Sequence, residues 1–155
     1  MLVKSGDKTT AVICDLDGTL AIIESEGKLL RNPYDASNCD EIDLINAPLA
    51  TILTSLYNNG IKTIFVSGRE DIYYEPTIRF IQKLGYPFDN LNEIKLFMRN
   101  AKDYRDDIIV KEEIYNKHIK DYYEIICCFD DRPKVIRMWR RIGLYVFDCG
   151  KGIEF

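Results

Sequence analysis

Five apolar runs bounded by turn signals recur along this chain, and between them lie stretches whose apolar residues fall at helical spacing. The runs are TAVICDL (10 to 16), KTIFVSG (62 to 68), EIKLFMR (93 to 99), EIICCFDD (124 to 131) and GLYVFDCG (143 to 150). Rich in Ile, Val, Phe and Cys, they read as strands buried on both faces. The intervening helical sets are Leu49, Ile52, Leu53, Leu56 and Tyr57; Ile78, Ile81 and Leu84; Ile109, Ile114, Tyr115 and Ile119; and Val135, Ile136, Met138, Trp139 and Ile142. Pro48 and Pro133 fall near helix starts, while Gly60, Gly85 and Gly143 fall just past helix ends. This alternation predicts an α/β fold, a Rossmann-like doubly wound parallel sheet with crossover helices. Residues 21 to 46 read as loop and short turns.

At 155 residues the expected organisation is one domain over 1 to 155, with residues 1 to 9 as an N-terminal tail. No apolar run approaches the roughly 20 residues of a membrane span, and MLVKSGDKTT lacks the pattern of a secretory signal, so the chain reads as cytoplasmic with no membrane partner. The five cysteines form no CxxC pair and lie mostly in apolar runs, which predicts reduced thiols and no zinc site. His118, the lone histidine, reads as a surface or packing residue. A net charge of -4 argues against coating nucleic acid along its length, though not against gripping an end.

In an open parallel sheet, ligands bind outside the carboxyl ends of the strands. The first run ends in Asp15 and Asp17, the second in Ser67, Gly68 and Arg69, and a later one in Asp130 and Asp131. Converging carboxylates repel one another unless a cation is present, and an oxygen-only donor set suits Mg²⁺. A phosphate is the natural substrate group for such a site. One carboxylate can attack phosphorus while a second moves protons, and a hydroxyl, backbone amides and a lysine can hold the phosphoryl oxygens. Lys111, at the start of a predicted helix, is the candidate lysine. DLDGT alone also reads as a turn after a strand. As a calcium loop it fails at Leu20, where glycine is required, and in following a strand.

Together these residues resemble the haloacid dehalogenase-like (HAD-like) phosphohydrolases, whose motifs are Asp-x-Asp, a Ser or Thr, a Lys and a terminal acidic pair. The segments DLDGTLA, RNPYD, NCDEIDLIN, VSGRE, DIIVKEEIYNKHI, DDRPKVIRMWRRIGL and GKGIEF are similar to the 3'-phosphatase half of phage-type polynucleotide kinase-phosphatases. The resemblance implies Asp15 as nucleophile, Asp17 as general acid/base, and Mg²⁺ held by Asp15, the Asp17 main-chain carbonyl, Asp130 and Asp131. It makes Thr19, Arg31, Ser67, Gly68, Arg69, Asp107 and Lys111 the phosphate- and substrate-binding set, with Arg31 and Arg69 expected to grip phosphate bidentately.

The implied activity is hydrolysis of 3'-phosphates at DNA or RNA ends, alongside a separate 5'-kinase or ligase. A small-molecule phosphatase or nucleotidase, and a non-catalytic binding module, remain alternatives on the same fold. The first residues carry no GxxxxGK[ST] loop, so no kinase domain is expected, and AIIESEGKLL makes the connection to Arg31 longer than the family's usual one. Intervals 20 to 46 and 69 to 92 are too short for a large closing domain, which predicts a minimal cap or none. Tyr73 and Tyr74 read either as base-stacking or as packing residues. Arg132, Lys134, Arg137, Arg140 and Arg141 read mainly as a solvated helix face.

Overall fold

The computed structural model describes residues 8–152. The first run forms β1 (Thr9–Cys14), so strand begins at the last position of the expected tail; residues 1 to 7 lie outside the described residues. Residues 21 to 46, expected as loop, form a small lobe. It contains β2 (Ala21–Ile22), a hairpin of β3 (Glu24–Ser25) and β4 (Lys28–Leu29), the short helix α1 (Cys39–Ile42), and β5 (Leu44–Ile45), which pairs antiparallel with β2. The long connection to Arg31 is thus taken up by a hairpin. Two-residue strands carry too little apolar periodicity to be seen in sequence.

The chain then runs through α2 (Ala47–Asn58), β6 (Lys62–Glu70), α3 (Tyr74–Gln82), β7 (Lys95–Arg99) and α4 (Asp107–Ile114). It closes with β8 (Tyr123–Asp130), α5 (Pro133–Arg141) and β9 (Val146–Asp148). Asn46 caps α2 by accepting the Leu49 N–H, and a proline stands in the first turn of both α2 and α5, where its missing N–H costs nothing. β9 is shorter than its apolar run because the turn after α5 consumes the run's first residues.

The five long strands make one sheet in the order β7-β6-β1-β8-β9, with every pairing parallel. From β1 the chain moves outward through β6 and β7, then crosses back to β8 and β9. The strand order therefore reverses between β1 and β8, which is where such sheets open a crevice. Each face is covered by its own apolar cluster. Val12, Cys14 and Phe65 pack with Leu49, Leu53, Phe80 and Ile81 from α2 and α3, while Ile13, Ile64 and Val66 pack with Val110, Val135 and Trp139 from α4 and α5. All five cysteines are unpaired and four are buried, and His118 stacks on Phe97 with ring centres 5.1 Å apart. Among the described residues no helix is long and apolar enough to cross a membrane.

Leu53 is fully buried at the centre of the first cluster. Leu53→Ala is expected to lower unfolding stability by about 2–5 kcal/mol in urea titration, through lost burial and the cavity left behind.

Candidate active site

β1 ends at Cys14, and the next residue, Asp15, still donates its N–H to Phe129 O at 3.0 Å across the β1–β8 pair. That pairing fixes the Asp15 backbone beside the end of β8, where Asp130 is the last strand residue. Carboxylate oxygens of Asp15, Asp130 and Asp131 lie within 4.8 Å of one another. Lys111 Nζ donates to Asp15 Oδ1 at 2.8 Å and to Asp130 Oδ2 at 3.1 Å. Lys111 is not at the helix start but one turn into α4, and helical side chains lean back toward the N-terminus, which here carries the ammonium toward the strand ends. Both Asp130 oxygens are engaged: Oδ2 also accepts from Trp139 Nε1 at 3.2 Å, and Oδ1 accepts the N–H groups of Asp131 and Arg132.

Charge in this cluster does not balance. Three carboxylates face the single ammonium of Lys111, leaving an excess of two negative charges, the charge of one divalent cation. Burial, reinforced by Asp130, pushes the Asp15 carboxyl well above the usual carboxylate range, and burial raises Asp131 as well. Burial alone would push Lys111 down, but Asp130 and Asp15 outweigh it and hold the ammonium charged. The Thr19 hydroxyl lies between Asp15 Oδ2 at 3.0 Å and Asp131 Oδ1 at 3.1 Å with one proton to donate, so one of these contacts sets oxygen against oxygen. A hard divalent cation among these donors would relieve both the repulsion and that contact. Thr19, expected in the substrate-binding set, is fully buried and its hydroxyl lies against the carboxylates of Asp15 and Asp131.

Asp17 stands apart from this trio and faces two arginines. Arg31 Nη2 donates to Asp17 Oδ1 at 2.8 Å, and Arg69 Nη2 donates to the same oxygen at 2.6 Å. Behind them Asp43, whose side chain is fully buried, takes Arg31 Nε at 2.7 Å on Oδ1 and Arg69 Nη2 at 2.9 Å on Oδ2. The remaining Arg31 donors reach Asn32 O and Asp35 O, and those of Arg69 reach Thr77 Oγ1 and Cys39 Sγ. Both guanidiniums are thus buried with every nitrogen engaged. The forks expected to grip phosphate bidentately here grip two carboxylates, Asp17 and Asp43.

On the far side of the crevice, Ser67 is buried near the end of β6 and its Oγ accepts the Arg69 N–H at 3.1 Å. Gly68 and Arg69 sit in a bulge, since Ser67 pairs with Met98 but Glu70 pairs with Arg99. A Cβ on Gly68 would come within 2.6 Å of Asp107 Oδ1, which explains glycine there. Gly18 is constrained more strongly, with φ +83° and an Asp131 carboxylate oxygen 2.1 Å from where a Cβ would be. Asp107, expected to engage substrate, pairs with Arg99 and with Arg132 Nη1.

Asp43, Arg99 and Trp139 escaped the sequence reading. Asp43 lies in NCDEIDLIN, a quoted motif segment, but nothing in one-dimensional spacing marks it as the partner of two distant arginines. Tyr73 packs against the first apolar cluster, as the packing alternative expects. In the basic face, Lys134 pairs with Asp106 and Arg141 with Glu112.

Comparison with known proteins agrees with this geometry. A family model described as "Polynucleotide kinase PNKP phosphatase domain" matches residues 9–154. A protein of Autographa californica nuclear polyhedrosis virus, named as a bifunctional polynucleotide kinase/RNA ligase, is 36% identical over 154 residues, covering 97% of this chain and 21% of the viral protein. Chains from two structures of the Pnkp1/Rnl/Hen1 RNA repair complex are each 40% identical. One superposes with a TM-score of 0.81 over 95% of this chain and 44% of its own length, the other with 0.82 over 98% and 50%. The chain therefore spans about a fifth to a half of the length of these relatives. A class C acid phosphatase from Bacillus anthracis, 18% identical over 81% of this chain and 54% of its own, shares the fold with a TM-score of 0.54. The chain belongs to the family of polynucleotide kinase PNKP phosphatase domains, and is a phosphoric monoester hydrolase of the HAD type.

Proposed function

We propose that this chain is a Mg²⁺-dependent polynucleotide 3'-phosphatase, which hydrolyses 3'-phosphomonoesters at DNA or RNA ends through an aspartyl-phosphate on Asp15, in cytoplasmic nucleic-acid end repair. The observation that carries the reading is the clustering of Asp15, Asp130 and Asp131 at the strand-order reversal, with Lys111 bonded to the first two, beneath only a small lobe. Its nucleic-acid side is supported by relatives named for polynucleotide kinase, RNA ligase and RNA repair, and a separate 5'-kinase or ligase is the corresponding partner.

Asp15 attacks phosphorus, and the bond from phosphorus to the 3'-oxygen breaks as the Asp15–phosphorus bond forms. Asp17 gives its proton to the departing oxygen. It then takes a proton from water, whose oxygen attacks phosphorus and releases Asp15 and inorganic phosphate. Arg31 and Arg69, backed by Asp43, hold Asp17 for both transfers; Oδ1 accepts from both arginines, and the more lightly engaged Oδ2, which accepts Arg69 Nε at 3.2 Å, exchanges the proton. Lys111, Ser67 and the Gly68 backbone face the phosphoryl oxygens. Asp15, Asp130, Asp131 and the Asp17 carbonyl would hold Mg²⁺, with Asp131 the more open of the acidic pair, since both Asp130 oxygens already accept two hydrogen bonds. When bound, the ion offsets the negative charge of the carboxylates and the transferring phosphoryl group.

Three measurements test this. Equal concentrations of 3'-phosphorylated oligonucleotide, 5'-phosphorylated oligonucleotide and free nucleotide should show preference for the first; preference for the free nucleotide overturns the polynucleotide reading in favour of a nucleotidase. Asp15→Asn should abolish turnover and Asp17→Asn should lower kcat by about 10²–10⁴, while EDTA should stop the wild type and added Mg²⁺ restore it. Asp43→Asn leaves buried guanidinium charge uncompensated. It should cost about 3–5 kcal/mol of stability in chemical denaturation and lower kcat at temperatures where the variant stays folded.

A further inference from the structure

Tyr34 and Tyr104 are 88% and 84% exposed, and among the described large apolar side chains the next most exposed is Tyr145 at 66%. Tyr145 rests on Phe147 and the exposed Tyr86 on Tyr57, whereas neither Tyr34 nor Tyr104 has an aromatic partner among the described residues. Both stand on loops tied down by hydrogen bonds. Tyr34 follows Pro33 in a turn whose carbonyls at Asn32 and Asp35 both accept from Arg31 Nη1, and whose Asn32 side chain accepts the Tyr34 N–H at 2.9 Å. Tyr104 lies in the loop after β7, where Arg99 Nη1 donates to Asp103 O at 3.0 Å and Arg105 O at 2.5 Å while Arg99 Nε holds Gly68 O at 2.8 Å.

One segment at the end of β6 ties the two loops together. The Tyr73 hydroxyl donates to Tyr34 O at 3.3 Å, Asp71 Oδ1 accepts the Ala101 N–H at 3.1 Å and Glu70 Oε1 accepts the Lys102 N–H at 2.9 Å. Glu70 directly follows Arg69, so this rim is continuous with the groups that hold Asp17. Two nearly naked aromatic rings therefore stand on loops whose backbones are pinned by arginines of the catalytic crevice.

We infer that Tyr34 and Tyr104 are specificity residues that stack on nucleobases of a single-stranded 3' end and so hold its terminal phosphate over Asp15. The inference rests on the polynucleotide 3'-phosphatase reading. Base stacking tolerates any sequence and leaves the sugar-phosphate backbone to polar groups, which suits an enzyme that acts on ends rather than on a sequence. A rigid loop also lowers the entropy lost when a ring is covered.

The test crosses two changes: the bases of the last nucleotides of a 3'-phosphorylated oligonucleotide, present or replaced by abasic residues, against wild type, Y34A, Y104A and the double variant. Wild type should favour the base-bearing end by about tenfold in kcat/KM, carried in KM, each single variant should shrink that preference and the double variant should erase it. Tyr34→Phe and Tyr104→Phe should retain it, since the ring and not the hydroxyl does the stacking. Equal rates for wild type on base-bearing and abasic ends, or a preference that survives in the double variant, overturn the inference while leaving the phosphatase reading intact. Hydrolysis of p-nitrophenyl phosphate with no turnover of either oligonucleotide overturns both the inference and the polynucleotide 3'-phosphatase reading, leaving a small-molecule phosphatase.

Discussion

Repulsion among Asp15, Asp130 and Asp131 is the constraint around which the rest of this structure is arranged. Placing two buried carboxylates and one half-buried one within 4.8 Å of one another is costly, and the chain answers with one buried ammonium, a bracing hydroxyl, an indole N–H and two backbone amides. These partners come from α4, α5 and the turns that follow β1 and β8, so the cluster also pins both helices of one face to the central strands. The charge still left over matches a divalent ion, which links holding the site together to equipping it for phosphate chemistry.

A second polar cluster sits beside the first and is complete without any ligand. Asp17 and Asp43 face Arg31 and Arg69, two charges against two, with both guanidiniums buried. Contrast between the two clusters separates their tasks. Where charge is balanced and every donor is engaged, the groups fix the position of Asp17; where charge is unbalanced, the groups are poised for a cation and a phosphoryl group. The small lobe between β2 and β5 supplies Arg31 and Asp43, so it also builds the support for Asp17.

Much of the site was readable in one dimension because its residues stand at strand ends, and strand ends are marked by the transition from apolar run to polar turn. Asp15, Ser67 and Asp130 are of this kind. Partnerships that depend on two elements meeting were not readable: Asp43 with its arginines, Trp139 with Asp130, and the arginines of Arg99 and Arg132 meeting on Asp107. Arg31 and Arg69 show the same limit, since nothing in one dimension joins them to Asp17 and Asp43, the carboxylates they meet in the fold.

Local physical chemistry in the sequence determined the element types: β-rich apolar runs, helical periodicities, prolines in first turns, and an Asp-x-Asp after a buried strand. It determined the reaction class too, since few chemistries use that set of side chains. Only the tertiary structure decided which carboxylates cluster together and which are held by arginine. That follows from strand order, because β1 and β8 are separated by more than a hundred residues of chain yet adjacent in the sheet, and hydrogen bonding across that pair, from Asp15 N–H to Phe129 O, is what brings the acidic groups together.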